Sequence, residues 1–387
     1  MNSNPESNPK LNPGFNPNPG FKSISIPILG FNPISRLNTI SISNPDPSTT
    51  TRSAKKYPPG SPLNPVQYPG HIRRAIPAVL SLLLVMVIMG CASAAETAST
   101  RADENRSARL QQDLEALIRD FNGDAGVYVR NLTTGEEFMV NPDTVYPTAS
   151  MVKVPIMVKI FQDMEDGKLG YHDQIPYDTV YSYRFSEDMI NRMPHGSEVS
   201  VSRLIYLMVC MSDNTSSIWL QAKAGGGLGI NAWLEENGFG QIRVNSRTEG
   251  RGDAFRRYGW GQATPREMSQ MMVRIFKGEL VSPLASDKMY RVMKGNMWDT
   301  DGLSQIPPYI NYASKGGAVR RSRSETVVVN APSGDYAWTV MTKNQEDESY
   351  NYDNDGYVLK RTIGGLLWNY FEPDHDWEPH PDFPRTW

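Results

Sequence analysis

Strand-forming sequence is concentrated at two places far apart in this chain, and the stretch between them is helical. The first place, AGVYVRNLTTGEEFMVN (Ala125–Asn141), reads as a hairpin, with two strand-like runs flanking a turn at Thr133–Gly135. The second is a set of three runs near the other end: INYASK (Ile310–Lys315), SETVVVNAP (Ser324–Pro332) and DYAWTVMTKN (Asp335–Asn344). PSGD forms the turn between the last two. Helical periodicity marks Ser107–Phe121 ahead of the hairpin, with Leu110, Leu114, Leu117 and Ile118 on one face, and Gly356–Phe371 behind the last strand. In the middle, Ser200–Met211 and Thr264–Phe276 are the clearest helices, each opened by a capping residue or by proline in its first turn. The two ends must therefore supply one antiparallel sheet. The expected class is α+β: an antiparallel sheet flanked by N- and C-terminal helices, with an all-helical subdomain inserted.

This domain is expected to cover residues 101–372. Residues 1–70 are rich in Asn, Pro and Ser (NSNPESNPKLNPGFNPNPGF) and too poor in apolar side chains to offset chain entropy, so the tract is expected to be disordered. Residues 71–91 change character. Arg73 and Arg74 precede an apolar run from Ala75 to Gly90 that is short for a membrane span and is followed by small residues, the layout of an export signal. IMGC resembles a bacterial lipobox, which makes Cys91 the expected site of lipidation and places the protein in the periplasm on a lipid anchor. No methionine lies between Met1 and Met86, so translation is expected to start at a non-Met codon, such as that of Val66. Residues 373–387 read as a loose tail. A net charge of −3 argues against nucleic acid as a partner. With Cys91 lipidated, Cys210 has no disulfide partner and reads as a small core residue.

Three short motifs follow one another through the domain. Ser150 stands three residues ahead of Lys153 in PTASMVKVPIM, and on a helix that spacing puts both on one face. Taken singly the pair is a cap and a surface lysine, but Lys153 interrupts an apolar run, where an unpaired lysine is costly. Next come Ser212, Asp213 and Asn214 after an apolar helix, and then Lys315, Gly316 and Gly317 at a strand end. Each has an ordinary structural explanation, as a turn or a strand end. Together, in this order and within this succession of elements, they do not.

The chain resembles the serine β-lactamase and penicillin-binding protein superfamily, most closely the class A β-lactamases, whose motif set is S-x-x-K, S-D-N and K-T-G. The resemblance runs from about Arg101 to Phe371. It implies an acyl-enzyme on Ser150, with Lys153 helping to deprotonate it and Ser212 relaying a proton to the leaving nitrogen. It further implies that Asn214 and Lys315 hold substrate and that the backbone N–H groups of Ser150 and Ala318 form an oxyanion hole, with Gly317 letting substrate lie along the strand. The implied partner is a small β-lactam or a substrate resembling a peptidoglycan stem peptide. A monomer without cofactor or metal is expected.

The match is incomplete in two places. Gly316 stands where the family has Thr or Ser, and Arg320, Arg321 or Arg323 are candidates to compensate. The loop glutamate that activates the deacylating water has its counterpart by spacing in Glu249, with Asp253 nearby, but the family's W-E-P-E-L-N context is missing. Three functions stay open: a β-lactam hydrolase, a peptidoglycan D,D-peptidase or other serine amidase or esterase, and a non-catalytic penicillin-binding sensor.

Overall fold

The computed structural model describes residues 101, 103–183, 188–380 and 383, and within them the two strand groups meet in one sheet. The N-terminal hairpin is β1 (Asp124–Asn131) and β2 (Glu137–Val140). The C-terminal strands are β8 (Asn311–Val319), β9 (Ser322–Asn330) and β10 (Tyr336–Lys343). They form a five-stranded sheet in the order β2-β1-β10-β9-β8, antiparallel throughout. The expected class therefore holds, and the seam between the chain's two ends is the β1–β10 pair, in register from Asp124↔Lys343 to Asn131↔Tyr336.

Both faces of this sheet are covered, so its central strands do not alternate apolar with polar. Val127, Val129, Val327, Val329, Trp338 and Val340 point to one face. There they meet helix α1 (103–119), through Leu110, Leu114 and Ile118, and helix α9 (Asp355–Phe371), through Leu359, Ile363 and Leu367. Val328, Ala337 and Met341 point the other way into a second core shared with the helical part.

That part contains α2 (Lys153–Glu165), α3 (Val201–Cys210), α4 (Asn214–Lys223), α5 (Gly226–Glu236), α6 (Gly252–Tyr258), α7 (Pro265–Phe276) and α8 (Pro283–Met293). Ser200 caps α3, and Thr264 caps α7 with Pro265 in its first turn, as their sequences predict. Helix α2 is apolar nearly all round and buried accordingly, from Val154 to Phe161 with Lys159 alone partly exposed. Short pairings complete the frame: β3 (Tyr146–Pro147) and β6 (Arg243–Val244) flank β7 (Gly261–Ala263), and β4 (Gln174–Pro176) pairs with β5 (Glu198–Ser200). Cys210 is buried and in no disulfide, and its thiol donates to the Val292 carbonyl oxygen (3.2 Å).

One difference in element boundaries bears on the site. The strand expected to end at Lys315 continues through both glycines to Val319, because Gly316 and Gly317 keep their pairing with Glu325 and Ser324. At the C-terminus His375 packs edge-on against Trp368 and bonds Tyr309 (2.7 Å). The tract 1–70, the segment 71–91 and Cys91 lie outside the described residues. Among those described, no helix is long and apolar enough to cross a membrane.

Candidate active site

Ser150 sits in a single 3₁₀ turn (Ala149–Val152) that leads directly into α2. It does not cap the helix, since no side chain there accepts a capping bond. The turn is clamped from two sides. A Cβ on Gly261 would lie 2.6 Å from Thr148 Oγ1 and from Val152 Cγ2. A Cβ on Gly317 would lie 2.4 Å from the Thr148 carbonyl oxygen and 2.9 Å from the Ser150 amide nitrogen. Gly317 thus lets β8 run against the serine's own backbone, and Ser150 and Ala318 line one cleft. Ala149 is held at φ +45°, a strained conformation for a residue with a side chain.

Lys153, one helical turn on, is fully buried. Its Nζ lies 3.1 Å from Ser150 Oγ, 3.0 Å from Ser212 Oγ, 2.6 Å from the Ser212 carbonyl oxygen and 2.8 Å from Asn214 Oδ1. Burial holds this amine well below the usual lysine range, and the Lys315 charge pushes the same way against Asp188 and Asp213. A neutral amine has two N–H groups and one lone pair. The Ser212 carbonyl and Asn214 Oδ1 take the two N–H groups, which leaves the lone pair for a hydroxyl proton.

Ser212 lies in the tight link between α3 and α4, at φ +61°. The link is fixed by Asp213, whose carboxylate accepts from Ser216 N (2.7 Å) and Met189 N (2.8 Å). Asp188, which the sequence does not single out, accepts from Thr215 N (2.7 Å) and Thr215 Oγ1 (2.9 Å) at the start of α4. From the sheet side, Lys315 Nζ reaches Ser212 Oγ at 3.1 Å. Burial brings Lys315 down to about 7. A cleft of about 570 Å³ opens over these groups, lined among others by Ser150, Ser212, Asn214, Lys315, Gly317 and Ala318.

The family model for the β-lactamase enzyme family matches residues 109–371, well over half of the chain. This chain belongs to the β-lactamase enzyme family. Its similarity to individual members is distant. It is 20% identical to β-lactamase VEB-1 of Pseudomonas aeruginosa, over 68% of this chain and 90% of that protein. A 31% match to the β-lactamase regulatory protein BlaB of Streptomyces cacaoi spans 29% of this chain and 36% of that protein. Among solved structures, an acyl-enzyme complex of a PBP-A variant with penicillin G superposes with a TM-score of 0.62 at 24% identity, covering 69% of this chain and 97% of that one.

Within this family frame, seven of the eight residues singled out around the nucleophile come together, and the eighth does not. Glu249 is exposed on a turn and is not among the residues lining the cleft. The reason lies in the backbone path. Ser246 is drawn inward by reciprocal bonds with Gln221 (2.6 and 3.1 Å), Arg247 takes φ +51°, and Thr248 Oγ1 bonds back to the Ser246 carbonyl at 3.0 Å. The chain has then turned Glu249 outward. Asp253 is also on the surface, paired with Arg256. The arginines after the third motif do not replace the missing hydroxyl at Gly316 either. Arg320 pairs with Glu348, Arg321 donates to the Asn344 and Gln345 carbonyls, and Arg323 is buried on the carbonyls of Val319, Ser322 and Ser349. A Cβ on Gly316 would meet nothing nearer than Ser324 O at 3.8 Å, so the hydroxyl is absent for no steric reason.

Proposed function

We propose that this protein is a serine hydrolase that opens β-lactams through an acyl-enzyme on Ser150. The supporting observation is the buried Lys153 amine, 3.1 Å from Ser150 Oγ with its N–H groups engaged elsewhere. Neutral Lys153 takes the Ser150 proton as Oγ attacks the lactam carbonyl. The N–H groups of Ser150 and Ala318 receive the developing oxyanion. The C–N bond then breaks, and the departing nitrogen takes the Ser212 hydroxyl proton. Ser212 is resupplied from Lys153 or Lys315, whose amines lie 3.0 and 3.1 Å from its oxygen. Asn214 orients Lys153 and the substrate's acyl amide, and Lys315 holds a substrate carboxylate. Water completes the cycle by hydrolysing the ester on Ser150.

Release is the slow step in this reading, because Glu249 faces solvent and none of the described histidines lines the cleft. That same observation favours a second reading, a peptidoglycan D,D-peptidase for which β-lactams are slow-leaving inhibitors. Mass spectrometry of the intact protein after penicillin treatment, followed over time, separates them. An adduct that forms and decays with turnover supports the hydrolase; one that persists without turnover supports the peptidase. Ser150→Ala removes one oxygen and leaves the fold intact, so it should abolish the adduct. An adduct that survives in this variant moves the nucleophile elsewhere. Export and lipid anchoring at Cys91 complete the proposal and would put the enzyme beside the cell wall.

A further inference from the structure

β8 is an edge strand of its sheet, so the cleft can pass over it where the strand carries no side chain. That place is Gly316, where a Cβ would meet nothing nearer than Ser324 O at 3.8 Å. The lining follows this route. Ser212, Lys315 and Gly316 share the cleft with Asp301, Tyr357 and Lys360. The last two belong to α9, which packs on the opposite face of the sheet from the helical part.

The pair at that end is a salt bridge with bonding capacity left over. Lys360 is buried, donates to Asp301 Oδ2 and stands over the Tyr357 ring, 4.9 Å from its centroid. An ammonium has three N–H groups, so at least one here has no acceptor among the described residues. A buried donor left without an acceptor is costly, which points to a group that arrives from the cleft. The Asp301 side chain is 20% exposed, and its Oδ1 accepts from no described residue.

An unspent donor beside an unspent acceptor, on charges that cancel, matches neither a second carboxylate nor an ammonium. Nor does a further cation stand ready there. Arg323 is spent on backbone carbonyls, and Glu325, which pairs with Gly316 across the strands, is an acid buried with Oε2 on Gly302 N (3.0 Å). The arrangement matches an uncharged group that accepts and donates at once. A primary amide or carbamoyl group does this, with its carbonyl oxygen on Lys360 and its NH2 on Asp301 Oδ1.

Resting on the reading of Ser150 as an acylated nucleophile, we propose that Lys360 and Asp301 form a further subsite, reached over Gly316, for an uncharged carbamoyl or primary amide group on the substrate's leaving group. The carboxylate of the same leaving group stays with Lys315. The subsite therefore selects among carboxylate-bearing substrates by what they carry next to that carboxylate.

The test uses two cephalosporins with the same acyl side chain and the same carboxylate. On the ring carbon next to the one bearing the carboxylate, one has a carbamoyloxymethyl group and the other acetoxymethyl, so they differ by NH2 against CH3. Adduct formation on the full chain is timed by intact mass, counting adducts with and without that substituent. The carbamoyl compound should acylate Ser150 about tenfold faster, the scale of one hydrogen bond to a charged group. Asp301→Asn keeps the shape, but with its one oxygen on Lys360 it has no acceptor left, so the ratio should fall close to one. Gly316→Val leaves the ion pair alone and closes the route, and should do the same. Equal rates in the wild type, with adducts from both compounds, overturn the subsite and leave the acyl-enzyme reading standing. A ratio that persists in Gly316→Val likewise overturns it, and this variant decides the matter where Asp301→Asn fails to fold. No adduct from either compound, on protein shown to be folded by circular dichroism, removes the acyl-enzyme reading and this inference together.

Discussion

Adjacent glycines in β8 should respond in opposite ways to the same added methyl group. At Gly317 the new Cβ would lie 2.4 Å from the Thr148 carbonyl oxygen, 2.9 Å from Ser150 N and 3.0 Å from Ala149 Cβ. Ordinary contact begins near 3.4 Å, so the strand and the nucleophile's turn must separate by about 1 Å, and both are backbone that cannot rotate away. Overpacking of this kind costs about 1–3 kcal/mol of stability. Misplacement of reacting groups by about 1 Å costs about 10²-fold in rate. At Gly316 the new Cβ meets only Ser324 O at 3.8 Å, and φ is not in the left-handed region. There Gly→Ala should be neutral, or stabilising by about 0.4–1 kcal/mol through the unfolded chain. Urea unfolding measures the first quantity and the rate of adduct formation with a chromogenic β-lactam the second. If Gly317→Ala acylates at the wild-type rate, β8 does not set the position of Ser150, and the close approach has no part in catalysis.

Three further outcomes are expected. Lys315 titrates at about 7, below the ordinary lysine value, so its positive charge is present below pH 7 and lost above it. KM for a carboxylate-bearing β-lactam should therefore rise as pH rises through 7, while KM for the methyl ester stays level; parallel profiles would detach Lys315 from the carboxylate. Glu249→Gln should leave the decay rate of the acyl-enzyme within about twofold of wild type, since an exposed acid outside the cleft does not reach the ester, whereas a general base contributes about 10²–10⁴-fold. A fall of that size would show that the loop refolds around substrate. Cys91→Ser should abolish incorporation of radioactive fatty acid in cells, and equal labelling of both proteins would end the lipid assignment.

Much of this arrangement is legible in the sequence because burial leaves a mark there. Lys153 betrays its role by interrupting the apolar α2, and the valines of β9 announce a strand covered on both faces. Features set by backbone path leave a weaker trace. Nothing in VNSRTEG says that Ser246 turns in and Glu249 out, because that depends on Gln221 twenty-five residues earlier in the chain. Gly316 and Gly317 look alike, yet only the second touches the turn that carries Ser150. Two- and three-residue strands such as β3 and β7 are too short to show a period, although they hold that turn in place.

The β1–β10 seam has a consequence for how the molecule comes into being. Asp124 pairs with Lys343, 219 residues later (343 − 124), and β8, which carries Lys315, reaches the sheet only through β9 and β10. Contacts of such long range form late, after the intervening loop has been closed. A chain emerging from its N-terminus can assemble the β1–β2 hairpin, the Ser150 turn and the Ser212 link, but the other edge of β1 has no partner until the last strand arrives. The nucleophile's surroundings are thus finished at the end of folding, and a chain broken off before β8 holds two motifs without the lysine and the strand that join them into a cleft. An enzyme made this way stays open at its seam until synthesis is complete, as the export proposed for it would require.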